Sequence, residues 1–362
     1  MPPKLNMHLF SRACARNMAL SLHRGTSKQR LNSPYKQVGA TLSRYSSEAP
    51  LHHQLYEIPP SRLESKIHPM GWEAIQAKTE PWFDQLWQFA SEKEKKDFFA
   101  LGMSRAFSQF FPLTLDDRVE MTCKLHYLIL LIDDQLEKMD LLEMLSYRNR
   151  VIQIARGQAK PDRRKSFEWL LSDTFQLMRE TDEVLARDLI DGFCTLLQAQ
   201  TAEERMSVKH LGPYLEHREV DVGRSFYSAL IRFGAKLHLS SAELSQTAAL
   251  ESCAFRFMGV LNDIYSWDRE SKVYQANPTD GARPFSAIYI LAQETGLSYT
   301  ACKRLMYSYC RELEIVFKQS SEDLRQESGG ALRPDLDKYT KCLEYLMSGI
   351  EQWSQWTPRY RQ

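Results

Sequence analysis

Beyond the break at Pro59-Pro60, apolar residues recur mostly at i, i+3 and i+4, and strict alternation is scarce. That period places the apolar positions on one face of a helix, so the pattern predicts helix almost throughout. Local punctuation agrees. Ser240-Ser241-Ala242-Glu243 has the form of a capping box, opening a helix that runs to a polar cluster at residues 262–270. Asn277-Pro278-Thr279-Asp280-Gly281 breaks the pattern after that cluster, and Ser328-Gly329-Gly330 precedes a last helix. No internal repeat of fixed period is present. The expected architecture is all-α: one antiparallel helical bundle around a central apolar cavity.

Two polar clusters interrupt this apolar text. Asp133-Asp134-Gln135-Leu136-Glu137 ends the apolar run from Tyr127 to Ile132. Asn262-Asp263-Ile264-Tyr265-Ser266-Trp267-Asp268-Arg269-Glu270 follows the apolar stretch from Phe255 to Leu261. Carboxylates at the end of an apolar helix are costly unless a positive charge meets them. Asp133 and Glu137 are i and i+4 and share a face; Asn262, Ser266 and Glu270 are i, i+4 and i+8 and form one stripe. An all-oxygen donor set suits a hard divalent cation, Mg²⁺ or Mn²⁺. Asn and Ser are poor choices for a helix interior unless they have another use. Two such clusters facing each other across a bundle would hold a diphosphate between them. The bland alternative is a solvated acidic face at two helix ends, which fits the first cluster better than the second.

These clusters resemble the metal motifs of class I terpene cyclases, an Asp-rich motif facing an Asn/Ser/Glu triad. Tyr214-Leu215-Glu216-His217-Arg218 looks like the family segment with the diphosphate-sensing arginine, here Arg218, and Arg359-Tyr360 looks like its terminal Arg-Tyr pair. The four motifs stand in the family's order. Within the family, residues 111–137, 211–233 and 351–354 are similar to fungal aristolochene synthases. The likeness extends over about Ile58 to Tyr360.

The resemblance implies a Mg²⁺-dependent lyase of secondary metabolism that ionises and cyclises farnesyl diphosphate to a sesquiterpene. Aristolochene or another eremophilane-type hydrocarbon is the product it points to. It implies three Mg²⁺ ions, with Mn²⁺ able to substitute, held by Asp133 on one side and by Asn262, Ser266 and Glu270 on the other. Arg218, Arg269 and Arg359 would bind diphosphate oxygens, with Tyr360 adding a hydroxyl donor. Arg269 stands where the family often has lysine; the alternative for it is a solvated helix charge. Trp353 matches an active-site tryptophan that would face the carbocation. Leu130 and Leu196 occupy positions where aristolochene synthases carry phenylalanine; Phe226, Phe255 and Phe257 are candidates to compensate. Val222-Gly223 marks an expected helix break, or a site of close helix packing.

Composition sets the limits. The chain has 362 residues, 43% hydrophobic, with formal net charge +1. It is long enough for one large domain. The charge balance does not point to nucleic acid, and no apolar run reaches the roughly eighteen residues of a membrane span. Seven cysteines without a CxxC pair read as reduced core residues of an intracellular, cytoplasmic protein. Residues 1–47 carry eight Lys and Arg side chains and no acidic one, a composition that would also suit mitochondrial targeting. Residues 1–55 are therefore expected to be an extension, disordered or transit-like, and 56–362 the cyclase domain. A homo-oligomer is left open. The alternatives are a chain-elongating prenyltransferase, a cyclase of another skeleton, and a non-catalytic helical interaction protein. The prenyltransferase would carry a second Asp-rich motif in place of the triad. A di-iron bundle lacks its Glu-x-x-His ligands.

Overall fold

Residues 58–361 are described by a computed structural model. The expected extension over residues 1–55, with its transit-like segment 1–47, lies outside the described residues. Fourteen α-helices follow one another among the described residues: α1 Trp72–Leu86, α2 Glu92–Ala100, α3 Met103–Phe110, α4 Val119–Leu136, α5 Leu141–Ala155, α6 Ser166–Thr181 and α7 Glu183–Gln200, then α8 Leu211–Asp221, α9 Arg224–Ala235, α10 Ser241–Gln246, α11 Ala248–Ala276, α12 Ala287–Thr295, α13 Tyr299–Glu327 and α14 Pro334–Trp356. Short 3₁₀ turns span Glu203–Ser207 and Pro358–Tyr360. No strand occurs among the described residues. The all-α bundle read from the apolar period is the one observed.

The longest contacts in the bundle pair α7 with α9, α11 with α13, and α14 with both α3 and α11. Helix α11 is buried on most of its circumference up to Trp267, which accounts for its apolar text having no clear stripe. Its start differs from expectation. The capping box at Ser240 forms: the Ser240 hydroxyl accepts from the Glu243 N–H, and the Glu243 carboxylate accepts from the Ser240 N–H. The helix it opens is only α10, six residues long. Thr247 is fully buried, and its hydroxyl donates back to the Leu244 carbonyl at 3.0 Å. Such back-bonding competes with the helix ladder and separates α10 from α11.

Helix α11 ends at Ala276, before the predicted breaker, and α14 follows the Gly329-Gly330 turn. The six described cysteines are buried and form no disulfide. No described helix is long and apolar enough to cross a membrane.

Candidate active site

Helix α4 is buried for most of its length and then runs out into the mouth of the central cavity. There Asp133, Asp134 and Glu137 present oxygens that all lie within 4.8 Å of one another. Two guanidinium groups face them. Arg359, on the 3₁₀ turn after α14, donates to Asp133 Oδ2 at 3.1 Å and Asp134 Oδ1 at 2.9 Å. Arg269, one residue before Glu270 on α11, grips Glu137 through two bonds of 2.5 and 3.1 Å. Arg269 is therefore no solvated helix charge. The positive charge that these carboxylates require is supplied in part by two resident cations. Three carboxylates against two guanidiniums still leave the cluster one positive charge short. Loss of water pushes the Asp133 carboxyl up to about 6 against the pull of Arg359, and Glu137 and Asp134 add to the rise.

The second wall is the stripe on α11. Asn262 is held at both ends of its amide: Oδ1 accepts from Arg218 Nη2 at 2.8 Å, and Nδ2 donates to the Tyr360 hydroxyl at 2.8 Å. Ser266 is buried, yet its hydroxyl has no hydrogen-bond partner. Glu270 makes no hydrogen bond or ion pair among the described residues and lines the same cavity. An unpartnered buried hydroxyl costs free energy, and here it sits one turn from a free carboxylate and a polarised amide oxygen. The donor set fits a hard divalent cation on this side, as the carboxylate cluster fits one on the other.

Sequence reasoning missed the brace behind Arg218. Asp263, next to Asn262, forms an ion pair with Arg218 at 3.0 Å and accepts from the Tyr214 hydroxyl at 2.5 Å and from the Ala287 N–H at 2.8 Å. Asp221 pairs with Arg218 as well and lies 3.0 Å from Arg205 Nε. Gly259 makes room: a Cβ there would lie 2.8 Å from the Arg218 side chain. The only local signal was an acidic neighbour inside the triad; its partners come from α8 and the start of α12.

The cavity descends between the two walls. Phe110, Tyr227, Trp353 and His126 line it, with Leu130 and Leu196 on its sides. Trp353 crosses Phe110 edge-on with centroids 5.9 Å apart, and it contacts the ring of Tyr360 at 5.4 Å. Phe226, Phe255 and Phe257 are fully buried in the helix core and do not line the cavity, so they do not compensate for the two leucines. The break between α8 and α9 is real. Gly223 adopts φ 100°, a left-handed conformation that favours glycine, and Val222 beside it faces the cavity. The nine residues read from sequence as metal- or substrate-binding all line this one cavity: Asp133, Arg218, Asn262, Ser266, Arg269, Glu270, Trp353, Arg359 and Tyr360.

Comparison with known proteins adds an independent view. Residues 124–314 match the family model described as terpene synthase family 2, C-terminal metal binding. The aristolochene synthase of Penicillium roqueforti is 39% identical over 308 residues, 83% of this chain and 88% of that protein. That of Aspergillus terreus is 36% identical over 304 residues, 84% of this chain and 94% of the other. The crystal structure of the P. roqueforti enzyme superposes with a TM-score of 0.73 at 37% identity, covering 83% of this chain and all of that one. A hedycaryol synthase in complex with nerolidol, 18% identical, superposes at 0.66 over 82% of this chain and all of that one, which shows the fold alone.

Proposed function

The chain belongs to the terpene synthase family, and from that premise we propose that its cavity ionises farnesyl diphosphate and cyclises it to a sesquiterpene hydrocarbon. It is a terpene synthase, a carbon–oxygen lyase acting on an isoprenoid diphosphate and dependent on a divalent metal. The observation that carries the reading is the orphaned Ser266 hydroxyl, set beside Asn262 and Glu270 and across the cavity from Asp133. We assign Asp133 to one metal site and Asn262, Ser266 and Glu270 to another, with Mg²⁺ as the ion, three in number, and Mn²⁺ as a substitute. When bound, such ions neutralise the charge that develops on the departing diphosphate.

The chain's own groups do the rest. Arg218, Arg269 and Arg359 project into the mouth with guanidinium forks that match diphosphate oxygens. Each is now engaged with a carboxylate or amide, so a diphosphate competes for donors already in place. The Tyr360 hydroxyl, beside Asn262, is a further donor. Below the mouth the walls exclude water, and Trp353 and Phe110 offer ring faces to a cation, worth roughly 2 kcal/mol each when desolvated. Leu130 and Leu196 offer none. An eremophilane-type product, aristolochene foremost, is the skeleton we propose, in keeping with the relatives. Six buried cysteines without a disulfide suit a reducing, cytoplasmic compartment, and we take the catalytic unit as residues 56–362.

Incubation with farnesyl diphosphate and Mg²⁺, followed by gas chromatography of a hexane extract, tests the proposal. A C15 hydrocarbon that disappears in excess EDTA is expected. A longer prenyl diphosphate, or no reaction, would overturn it.

A further inference from the structure

One buried titratable group in the cavity has no part in the scheme above. His126 lies on α4 seven residues before Asp133, so the two share a face about 10 Å apart along the axis. It lines the cavity while only 3% exposed. Its Nδ1 is buried without a partner, and neither ring nitrogen makes a hydrogen bond among the described residues. Its neighbours are rings: Phe110 and Phe111, both at 5.6 Å, Tyr227 at 5.9 Å and Phe107 at 6.3 Å. A phenylalanine would fill this place without the cost of an unsatisfied nitrogen.

We propose that His126 is the base of the cyclisation, taking a proton from the carbon next to the cationic centre of the cyclising isoprenoid. The inference rests on the cyclase reading. A neutral imidazole always keeps one nitrogen lone pair. In the transfer, the C–H bond beside the cationic carbon breaks, its electron pair becomes the new C=C bond, and the proton goes to the imidazole. The imidazolium then returns that proton to an alkene carbon of the neutral cyclic intermediate, regenerating a cation. Alternatively it yields the proton to water as the mouth opens and the product leaves. Burial favours both exits, because it pushes the imidazole down to about 3 and makes the imidazolium a ready donor. The position is suitable too. It lies about two turns below Asp133, away from the mouth to which the diphosphate is assigned, and the titratable group among its ring neighbours, Tyr227, is held protonated by burial.

The test compares the parent with His126→Phe, which keeps a ring without nitrogen, and His126→Gln, which keeps polarity without basicity. Diphosphate release and hydrocarbon profile are measured on the same samples with farnesyl diphosphate and Mg²⁺. Release in both variants should stay within about threefold of the parent, because ionisation is completed at the mouth. The parent's main hydrocarbon should fall at least about tenfold as a share of product in both variants, with other olefins or water-captured alcohols in its place. A His126→Phe variant that keeps the parent's profile would mean that only the ring's shape matters and would overturn the proposal. So would a His126→Gln variant that keeps it. If one variant fails to fold, as judged by melting, the other decides. A parent that releases no hydrocarbon would overturn the cyclase reading itself, a different result from either.

Discussion

Two clusters of carboxylates and arginines lie in this molecule, and they differ in how completely they are satisfied. Away from the cavity, Glu219 and Glu251 are gripped by Arg224 at 2.9 and 3.0 Å. Arg256 and Ser252 complete Glu219, while Ser228 and Tyr339 complete Glu251 at 3.1 and 2.6 Å. None of their side-chain atoms is left buried without a partner. At the cavity mouth the same residue types leave orphans: Ser266 Oγ, Arg218 Nε and Arg269 Nε. Folding alone favours the first arrangement, because each unsatisfied buried group is a cost. The second arrangement has donors and acceptors in reserve for something not part of the chain. The remote cluster therefore reads as a fastening between α8, α9, α11 and α14, and the mouth as a site whose stability is completed by ligands.

The comparison breaks if the two clusters respond alike to truncation. Glu251→Ala should lower unfolding free energy by about 1–3 kcal/mol, since it leaves Arg224 Nε and the buried Ser228 and Tyr339 hydroxyls short of an acceptor, and leave turnover per folded molecule within about twofold. Urea titration against hydrocarbon formation measures both. Glu270→Ala should do the reverse: turnover falls about 10²–10³-fold while the metal-free melting temperature barely moves. Large destabilisation with retained activity would make the triad structural. Arg359→Ala should lower kcat/KM about 10²-fold, because it removes a diphosphate donor held by a buried turn. Mg²⁺ should then raise its Tm more than the parent's, because Asp133 and Asp134 have lost their resident cation.

Legibility in the sequence followed the range of the interaction. The helix faces that align Asp133 with Glu137, and Asn262 with Ser266 and Glu270, are set by spacing within a few turns and were readable. The pairing of Arg269 with Glu137 joins residues 132 positions apart, and no local pattern announces it. The same holds for Asp263, whose partners Tyr214, Arg218 and Ala287 meet only through packing. Phe255 and Phe257 were misplaced in expectation because α11 is apolar on nearly every side there, so its sequence does not say which face meets the cavity. His126 had a visible signal, its seven-residue offset from Asp133 on one apolar face. What the spacing could not show was that the imidazole has no partner.

The smallest expected effect sharpens the comparison through pH. The Asp133 carboxyl holds its proton up to about 6 in the folded chain, against an ordinary value of 3.8. Between these values the folded state binds more proton than the unfolded state, so this group's contribution to metal-free stability falls as pH rises through the window. Metal binding runs the other way. It needs the ionised carboxylate, so Mg²⁺ must displace a proton below about pH 6 and none above it. The rise in Tm given by Mg²⁺ should therefore be small at pH 5 and grow towards pH 7. Asp133→Asn removes both halves of this behaviour. The metal-free variant should melt about 1–3 °C above the parent at pH 7.5, and Mg²⁺ should shift it less, with little pH dependence. The remote cluster has no such reserve. A parent whose Mg²⁺ response is flat from pH 5 to 7 would mean that Arg359 keeps Asp133 ionised throughout. The mouth would then be fastened as firmly as the Glu219–Arg224–Glu251 network.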